Sequence, residues 1–355
     1  MTPLAALIAR RIAATGPITL ADYMTECLFH PKHGYYTTGH PIGRAGDFTT
    51  APEISQMFGE LVGLSLAQAW QDQGCPAPVA LVEMGPGRGA LMADALRATS
   101  GVPGFHDALR LHLVEVSPVL RGAQAAALAG PHVITFHDSI ADVPEIPLLL
   151  IANEFFDALP VRQFQRHDGG WQERVVGLEG DRLTLGLTAP APLAALEHRL
   201  ADTIPGQIVE TRAGAGAIAE EIGRRIADHG GAALIVDYGG WRSIGDTFQA
   251  LKDHAPDDPF AHPGQADLTA HVDFEALAQA MPRTQVSAMT PQGVWLERLG
   301  ITARAQALAN GLTGAALDAQ VCAHRRLTHP QEMGSLFKVI SVTPHDASTL
   351  PGLGT

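Results

Sequence analysis

The sequence predicts an α/β fold: a parallel sheet covered by helices on both faces, with an N-terminal helical region and an antiparallel β insertion. Short apolar runs alternate with helical patterns between residues 79 and 152, and glycines or polar residues follow several of these runs. After Pro160 the alternation stops, and short strands joined by glycine turns begin. Continuous apolar strands that alternate with helices are typical of a parallel sheet buried on both faces.

Length and composition are those of a folded globular chain. Of the 355 residues, 46% are hydrophobic and 17% are charged, which favours a large core and argues against disorder. The net charge of −13 and the lack of a Lys/Arg run argue against a nucleic-acid partner, whereas an acidic surface attracts a basic protein segment. The three cysteines lie far apart, and no histidine spacing matches a metal site, so we expect neither disulfides nor a metal.

The first 75 residues are predicted to form a helical lid region ahead of a main domain at 76–355. Residues 4–13 have the pattern of an amphipathic helix, with both arginines inside the apolar stretch, which is unlike a signal peptide. Turn-rich sequence follows, and a second helix is predicted from Pro52 to about Gln73. No apolar run is long enough to span a bilayer, so we expect no membrane insertion.

The main domain is predicted to alternate strands and helices and then to be interrupted. The predicted strands are 79–82, 111–114, 132–136, 147–152, 232–236 and 336–342, and the predicted helices are 89–98, 118–128, 214–229, 273–281 and 291–310. Short strands at 161–164, 171–176 and 182–187 predict an antiparallel flap within residues 161–210. Residues 241–267 are predicted to form a long loop, and loops of that length are often functional.

A glycine turn (residues 83–89, Glu-Met-Gly-Pro-Gly-Arg-Gly) joins the first strand to a helix. Glycines let a ligand approach the backbone, and a helix N-terminus offers free N–H groups. A dinucleotide site has Gly-x-Gly-x-x-Gly facing a pyrophosphate. Here Gly85, Gly87 and Gly89 bring the third glycine one residue early, and Glu83 would repel a pyrophosphate but could accept a hydrogen bond from an ammonium group. S-adenosylmethionine (SAM) carries an ammonium and a sulfonium and no phosphate, so the turn favours SAM over NAD or FAD.

Polar residues follow the next three strands, and ligands of open α/β sheets bind at such carboxyl ends. Glu115 is placed to bind both ribose hydroxyls, and the alternative is an exposed charge before a helix. Asp138 is placed to reach an adenine amino group, and the alternative is a helix N-cap or turn residue. Asn153, Glu154 and Asp157 are the predicted catalytic residues, since they can orient a nucleophile beside the sulfonium; the alternative for the two carboxylates is a solvated loop.

At these positions the chain resembles the MidA-type family of class I SAM-dependent methyltransferases, which includes a mitochondrial complex I assembly factor that acts as a protein arginine methyltransferase. Two of the matching blocks, Gly46–Ser55 and Asn153–Pro160, are the most particular to this family. The full set is Gly16–Ile18 with Tyr23 and Met24, His33–Tyr36, Gly46–Ser55, Phe58–Leu61, Glu83–Gly89, Asn153–Pro160 and Asp237–Gly239.

The resemblance implies a Rossmann-like seven-strand sheet, SAM as methyl donor and a target arginine on a partner protein, which is a respiratory complex I subunit in mitochondrial members. Asp47 and Thr49 are expected to line the SAM or target site, with capping of the helix at Pro52 as the alternative. Well-studied arginine methyltransferases clamp the guanidinium with two glutamates on one loop, whereas here Glu154 and Asp157 are the only nearby pair.

Two other functions stay open at this point: a small-molecule methyltransferase, and an assembly or scaffold protein that keeps SAM as a structural ligand. A bacterial member is expected in the cytoplasm and a eukaryotic member in the mitochondrial matrix. The sequence leaves a homo-oligomer open.

Overall fold

The structure is a computed structural model that describes residues 2–38 and 50–354. Within these ranges the chain forms two compact units. The first unit contains residues 2–38, 157–215 and 242–273, and the second unit contains residues 50–156, 216–241 and 274–354.

The α-helices are numbered in chain order. They are α1 Pro3–Thr15, α2 Leu20–Phe29, α3 Tyr35–Thr38, α4 Ala51–Ile54, α5 Gln56–Asp72, α6 Ala90–Thr99, α7 Phe105–Ala108, α8 Pro118–Ala127, α9 Ala213–His229, α10 Phe274–Gln279, α11 Gln292–Arg298, α12 Ile301–Ala309, α13 Gly314–Thr328 and α14 Met333–Leu336. Among the residues described, no helix combines the length and the apolar character needed to cross a membrane.

The strands are numbered in the same way. They are β1 Ile18–Thr19, β2 Val79–Met84, β3 Leu109–Val114, β4 Ile134–His137, β5 Leu148–Asn153, β6 Arg162–His167, β7 Gly170–Glu179, β8 Arg182–Leu187, β9 Ile208–Thr211, β10 Gly231–Gly240, β11 Gln249–Lys252, β12 Ala255–Asp257, β13 Asp267–Thr269, β14 Val272–Asp273, β15 Gln285–Val286, β16 Thr290–Pro291 and β17 Phe337–Thr343.

The second unit is built on a mostly parallel sheet with the strand order β15-β17-β10-β5-β2-β3-β4. Strands β10, β5, β2, β3 and β4 are parallel, and β17 runs antiparallel beside β10. From β2 the chain proceeds outward to β3 and β4 and then returns to β5 on the other side of β2. The strand order therefore reverses between β2 and β5, which is where ligands bind in open α/β sheets. The predicted α/β fold on a parallel sheet is confirmed.

The sheet of the second unit is covered by helices that an ion-pair cluster ties together. Every residue of β2 and β5 is buried, as expected for strands with helices on both faces. On α5, the buried Glu60 accepts hydrogen bonds from Arg97 of α6 at 2.7 Å and from Arg304 of α12 at 2.6 and 2.8 Å. Burial works against ionisation of Glu60, but these two arginines hold its pKa below the ordinary value. The carboxylate thus joins three helices.

The first unit contains the antiparallel insertion and the N-terminal helices. One sheet has the order β1-β7-β6-β9 with β8 paired to β7, and a second has the order β12-β11-β13. Side chains of α1 and α2, such as Ile8 and Tyr23, share a hydrophobic cluster with Val161, Val176 and Leu268. Residues 50–75 belong to the second unit, so this division differs from a boundary at residue 75, and residues 242–273 join the flap.

Several elements differ from the sequence prediction. Helix α2 lies in sequence predicted as turn-rich, strands β11 and β12 lie in the predicted long loop, and β13 begins at the last residue of that loop. The predicted helix 291–310 is divided at Gly300, which has a φ of 88°, and the predicted helix 52–73 is divided at Ser55. Helix α13 was not predicted because Leu327 is its only buried residue among those described, so the segment has little apolar periodicity to detect.

Candidate cofactor and active site

The glycine turn has a backbone that requires glycine. The φ angles of Gly85, Gly87 and Gly89 are 59°, 54° and 87°, in the left-handed region. Gly85 donates a hydrogen bond to the carbonyl oxygen of Val114 at 2.9 Å, which ties the turn to β3. A Cβ atom at Gly85 would lie 3.1 Å from Cδ2 of Phe155. The turn is therefore held open at the carboxyl end of β2, and α6 begins directly after Gly89.

Glu83 is a buried carboxyl group immediately before this turn, with 4% of its surface exposed. Burial raises its pKa to about 8, although a hydrogen bond from the backbone of Met92 works in the opposite direction. Its Oε2 atom is buried without a hydrogen-bond partner among the described residues. Such a buried oxygen requires a hydrogen-bond partner, and an ammonium group is a cationic donor that a carboxylate binds strongly.

Glu115 follows β3 and is also buried. Its Oε1 accepts from the backbone N–H of Ser117 at 2.8 Å, and its Oε2 accepts from Nε2 of Gln124 at 3.1 Å. The same Nε2 atom donates to the carbonyl oxygen of Gly87 at 2.8 Å. Burial raises the pKa of Glu115, while these hydrogen bonds lower it. The alternative of an exposed charge does not fit this burial.

The end of β5 places two polar side chains in contact. The buried Asn153 donates from Nδ2 to Oε1 of Glu154 at 3.1 Å, and its own Oδ1 is buried without a partner in the described part of the chain. Oε1 of Glu154 also accepts from the backbone N–H of Ala51 at 3.1 Å, so this carboxylate lies at the N-terminus of α4. Glu154 has a φ of 52°. A non-glycine residue in this region is strained, and such residues cluster at functional sites.

The strand register places three of these side chains on one face of the sheet. Glu83 lies opposite Leu113 of β3 and Ile151 of β5. Side chains two residues apart on a strand point to the same face. Glu115 and Asn153, two residues beyond those partners, therefore lie on the face of Glu83, one step closer to the carboxyl end. They lie on either side of β2, and the strand order reverses between β2 and β5.

Two other predicted carboxylates, Asp138 and Asp157, have different surroundings. Asp138 is exposed, and its carboxylate accepts from Arg121 at 2.6 Å. Asp157 belongs to the first unit and is buried. There, burial and the charges of Asp267 and Asp157 raise the pKa of Tyr36. The structure therefore brings together Glu83, Glu115, Asn153 and Glu154, whereas Asp47 and Thr49 lie outside the described residues.

Sequence reasoning missed two residues that hold this arrangement. Arg121 donates to the carbonyl oxygens of Glu115 at 2.7 Å and His137 at 3.1 Å, so it joins the ends of β3 and β4. Gln124 is fully buried on α8 together with Leu120. A glutamine four residues after Leu120, on the apolar stripe of an alanine-rich helix, was the signal that could have identified it. Among the described residues, no group of three or more His, Cys, Asp or Glu side chains could hold a metal ion.

Comparison with known proteins agrees with this geometry. Residues 61–292 match the model of a family of S-adenosyl-L-methionine-dependent methyltransferases. The protein arginine methyltransferase NDUFAF7, mitochondrial, of Danio rerio is 38% identical over 94% of this chain and 85% of its own length. The protein of the same name from Homo sapiens is 36% identical over 97% of this chain and 84% of its own length.

A solved structure matches this chain over nearly all of its residues. A protein from Burkholderia thailandensis, crystallised with S-adenosyl-homocysteine, covers 98% of this chain and 94% of its own with a TM-score of 0.83 and 28% identity. A native crystal structure from the same organism gives a TM-score of 0.81 at 29% identity, over 98% of this chain and 93% of its own.

Fold, strand-end acceptors and these matches together define a SAM-dependent methyltransferase of class I architecture. The chain belongs to the MidA-type family of these enzymes. SAM is its cofactor, and the residues present fit this molecule. The unpartnered Oε2 of Glu83 and Oδ1 of Asn153 are buried acceptors on the sheet face beside the glycine turn, and SAM brings hydrogen-bond donors rather than phosphates.

Proposed function

We propose that this enzyme transfers the methyl group of SAM to an arginine side chain of a partner protein. The curated relatives, which cover nearly all of the chain, carry the name protein arginine methyltransferase. The net charge of −13 supports a substrate with a basic segment, because an acidic surface attracts cationic partners. The relatives are labelled mitochondrial. The family resemblance implies a respiratory complex I subunit as the substrate of mitochondrial members, so such a subunit is the proposed partner in a mitochondrial matrix, and a bacterial member would meet its own protein substrate in the cytoplasm.

The cofactor half of the proposal assigns one role to each strand end. Glu83 accepts a hydrogen bond from the cofactor ammonium, Glu115 binds the ribose hydroxyls, and Asp138 reaches the adenine amino group. The glycine turn lets the amino-acid part approach the backbone. The observation that carries this assignment is the pair of buried acceptors, Oε2 of Glu83 and Oδ1 of Asn153, on one face beside the strand-order reversal. Asp47 and Thr49 are proposed to complete the site.

Glu154 is proposed to orient the arginine side chain that accepts the methyl group. Bound SAM supplies a methyl group on a sulfonium, and the transfer is an in-line displacement by a guanidinium nitrogen. Glu154 hydrogen-bonds the guanidinium, aligns that nitrogen and receives the proton released when the new N–C bond forms. Asn153 holds the Glu154 carboxylate through the 3.1 Å hydrogen bond. Asp157 is the second carboxylate proposed for the cation, since paired carboxylates recognise a guanidinium well.

The test uses cells that lack this protein and are complemented with wild type or with Glu154→Gln. Mass spectrometry of the proteome is expected to find a methyl-arginine that wild type restores and that Glu154→Gln restores to less than about 1%, as expected when a transition-state contact is removed. Calorimetry should show that Glu154→Gln binds S-adenosyl-homocysteine with a dissociation constant within about threefold of that of wild type. The contact of Glu154 is made with the guanidinium of the substrate, so cofactor binding does not depend on it.

Glu179→Gln is the matched control, since it makes the same chemical change at an exposed position at the end of β7. It should retain both methylation and binding. Full methylation by Glu154→Gln would move the role to Asp157, which Asp157→Asn then tests. A restored modification on lysine, or only on a small molecule, would refute an arginine substrate. Restored function without any methylation would favour the scaffold alternative.

A further inference from the structure

Gln124 occupies an unusual position on α8. Its side chain is fully buried, and its Nε2 atom donates to both the carbonyl oxygen of Gly87 at 2.8 Å and Oε2 of Glu115 at 3.1 Å. One amide group therefore connects the glycine turn to the carboxylate that follows β3. Helix α8 packs against the turn itself: a Cβ at Gly89 would lie at ordinary van der Waals distance, 3.5 Å, from Cα of Gln124.

The orientation of this amide is determined by its neighbours. Both groups that Nε2 faces are acceptors, so only the NH₂ end of the amide can satisfy them. The consequence is that Oε1 of Gln124 is buried without a partner among the described residues. A buried unsatisfied oxygen is unfavourable, and an apolar residue of similar shape would avoid it. Packing alone therefore does not explain a glutamine here.

We propose that Gln124 is a positioning residue for the cofactor ribose. Its amide holds Oε2 of Glu115 and Gly87 of the glycine turn in a fixed relation, while the backbone N–H of Ser117 holds Oε1 of Glu115 at 2.8 Å. With both oxygens restrained, the carboxylate is presented in one orientation to the two ribose hydroxyls. This role rests on the proposed contact between Glu115 and the ribose.

Calorimetry with two ligands tests the role without any measurement of turnover. The ligands are S-adenosyl-homocysteine and its 2′-deoxy analogue, and the quantity compared is the ratio of their dissociation constants. In wild type we expect a ratio of about 10 to 100, the usual effect of removing a hydroxyl that binds a carboxylate. In Gln124→Met the affinity for S-adenosyl-homocysteine should fall about tenfold and the ratio should fall below about 3.

The control is Gln68→Met, the same substitution at an exposed position of α5, which should leave both values unchanged. Gln124→Glu is the second variant; it keeps the shape and faces Glu115 with another acceptor, and it should also lose the discrimination. Thermal melting establishes that each variant is folded.

The outcomes distinguish the role of Gln124 from the proposed contact between Glu115 and the ribose. A wild-type ratio that persists in both Gln124 variants overturns the positioning role and leaves Glu115 as the ribose ligand. A wild-type ratio near 1 overturns the assignment of Glu115 and the role of Gln124 with it. Methylation of a protein arginine, measured in the complementation experiment, is independent of either result.

Discussion

Replacing Glu83 by glutamine separates the role of this carboxyl group in cofactor binding from its effect on the stability of the free protein. Burial raises the pKa of Glu83 from the ordinary 4.5 to about 8. The folded protein therefore favours the protonated acid. The stability that this group contributes is complete below pH 4.5 and is lost as the pH rises through 8.

The size of the effect follows from these two pKa values. Each pH unit between them lowers the free energy of unfolding by about 1.4 kcal/mol, so at pH 7 the loss is about 3 kcal/mol. Glutamine has the same shape and does not ionise. Glu83→Gln should therefore melt about 4 °C above wild type at pH 7 if the whole chain unfolds together, with no difference near pH 4.5.

Cofactor binding should change in the opposite direction. The amide oxygen of glutamine can accept a hydrogen bond from the ammonium group but carries no negative charge, so the ion pair is lost. The affinity of Glu83→Gln for S-adenosyl-homocysteine should therefore fall about 10- to 100-fold. Because Glu83 is mostly protonated in the free protein at pH 7, wild-type binding should also release close to one proton. Glu83→Gln should release almost none.

The assays are calorimetric melting from pH 4.5 to 9 and isothermal titration in buffers of different ionisation enthalpy. Glu179→Gln, at an exposed position, serves as the control and should behave as wild type in both. The reasoning is refuted if Glu83→Gln binds with wild-type affinity, or if its melting temperature follows that of wild type across the whole pH range.

Substitutions at two further positions, Gly85 and Glu60, test the glycine turn and the ion-pair cluster around Glu60. Gly85→Ala should lower the free energy of unfolding by more than about 2 kcal/mol and weaken S-adenosyl-homocysteine binding at least tenfold. The reasons are that a Cβ would lie 3.1 Å from Phe155 and that φ is 59°. The control is Gly180→Ala, at a glycine with the same φ and open surroundings; it should lower the free energy of unfolding by only about 1 kcal/mol. Glu60→Gln should lower the free energy of unfolding by about 2 to 3 kcal/mol at pH 7, because it breaks the ion pair with Arg304 at 2.6 Å.

Urea unfolding and calorimetry measure these effects. Equal costs for the two glycine substitutions would show that Phe155 yields without strain. The arginines beside Glu60 lower its pKa, so its stabilising effect is present at neutral pH and is lost as the pH falls below 4.5. A difference between Glu60→Gln and wild type that does not decrease as the pH falls below 4.5 would contradict the ion-pair explanation.

Local signals were enough to select most residues of the proposed cofactor site. The apolar strand β2, the three glycines and the following helix lie within about twenty consecutive residues, and each depends on backbone rules that act over a few residues. Glu115 and Asn153 were selected in the same local way, because each is the polar residue that directly follows an apolar run. Glu83 and the early third glycine indicated SAM, and family-specific blocks then identified the methyltransferase family; the matches confirm both.

Elements whose stability comes from distant contacts were not identified in this way. Helix α13 has almost no apolar stripe, and β11–β13 pair with one another inside a segment rich in turn residues. Nothing within either segment distinguishes it from a loop, because each also depends on elements outside it: α13 packs against α11 and α12, and Ala250 and Leu268 join the hydrophobic cluster of α1 and α2.

What the sequence by itself determined is thus the α/β class, the glycine turn and the residue types at the strand ends. Only the tertiary structure decided which strand ends are neighbours. The order β5-β2-β3 sets Asn153, Glu83 and Glu115 on one face, although about 70 residues separate the first from the second. It also directs the amide of Gln124 to Glu115 and the Glu154 carboxylate to the N-terminus of α4. Strand order and helix packing arise from contacts between residues far apart in the chain, so the local periodicity of the sequence does not predict them.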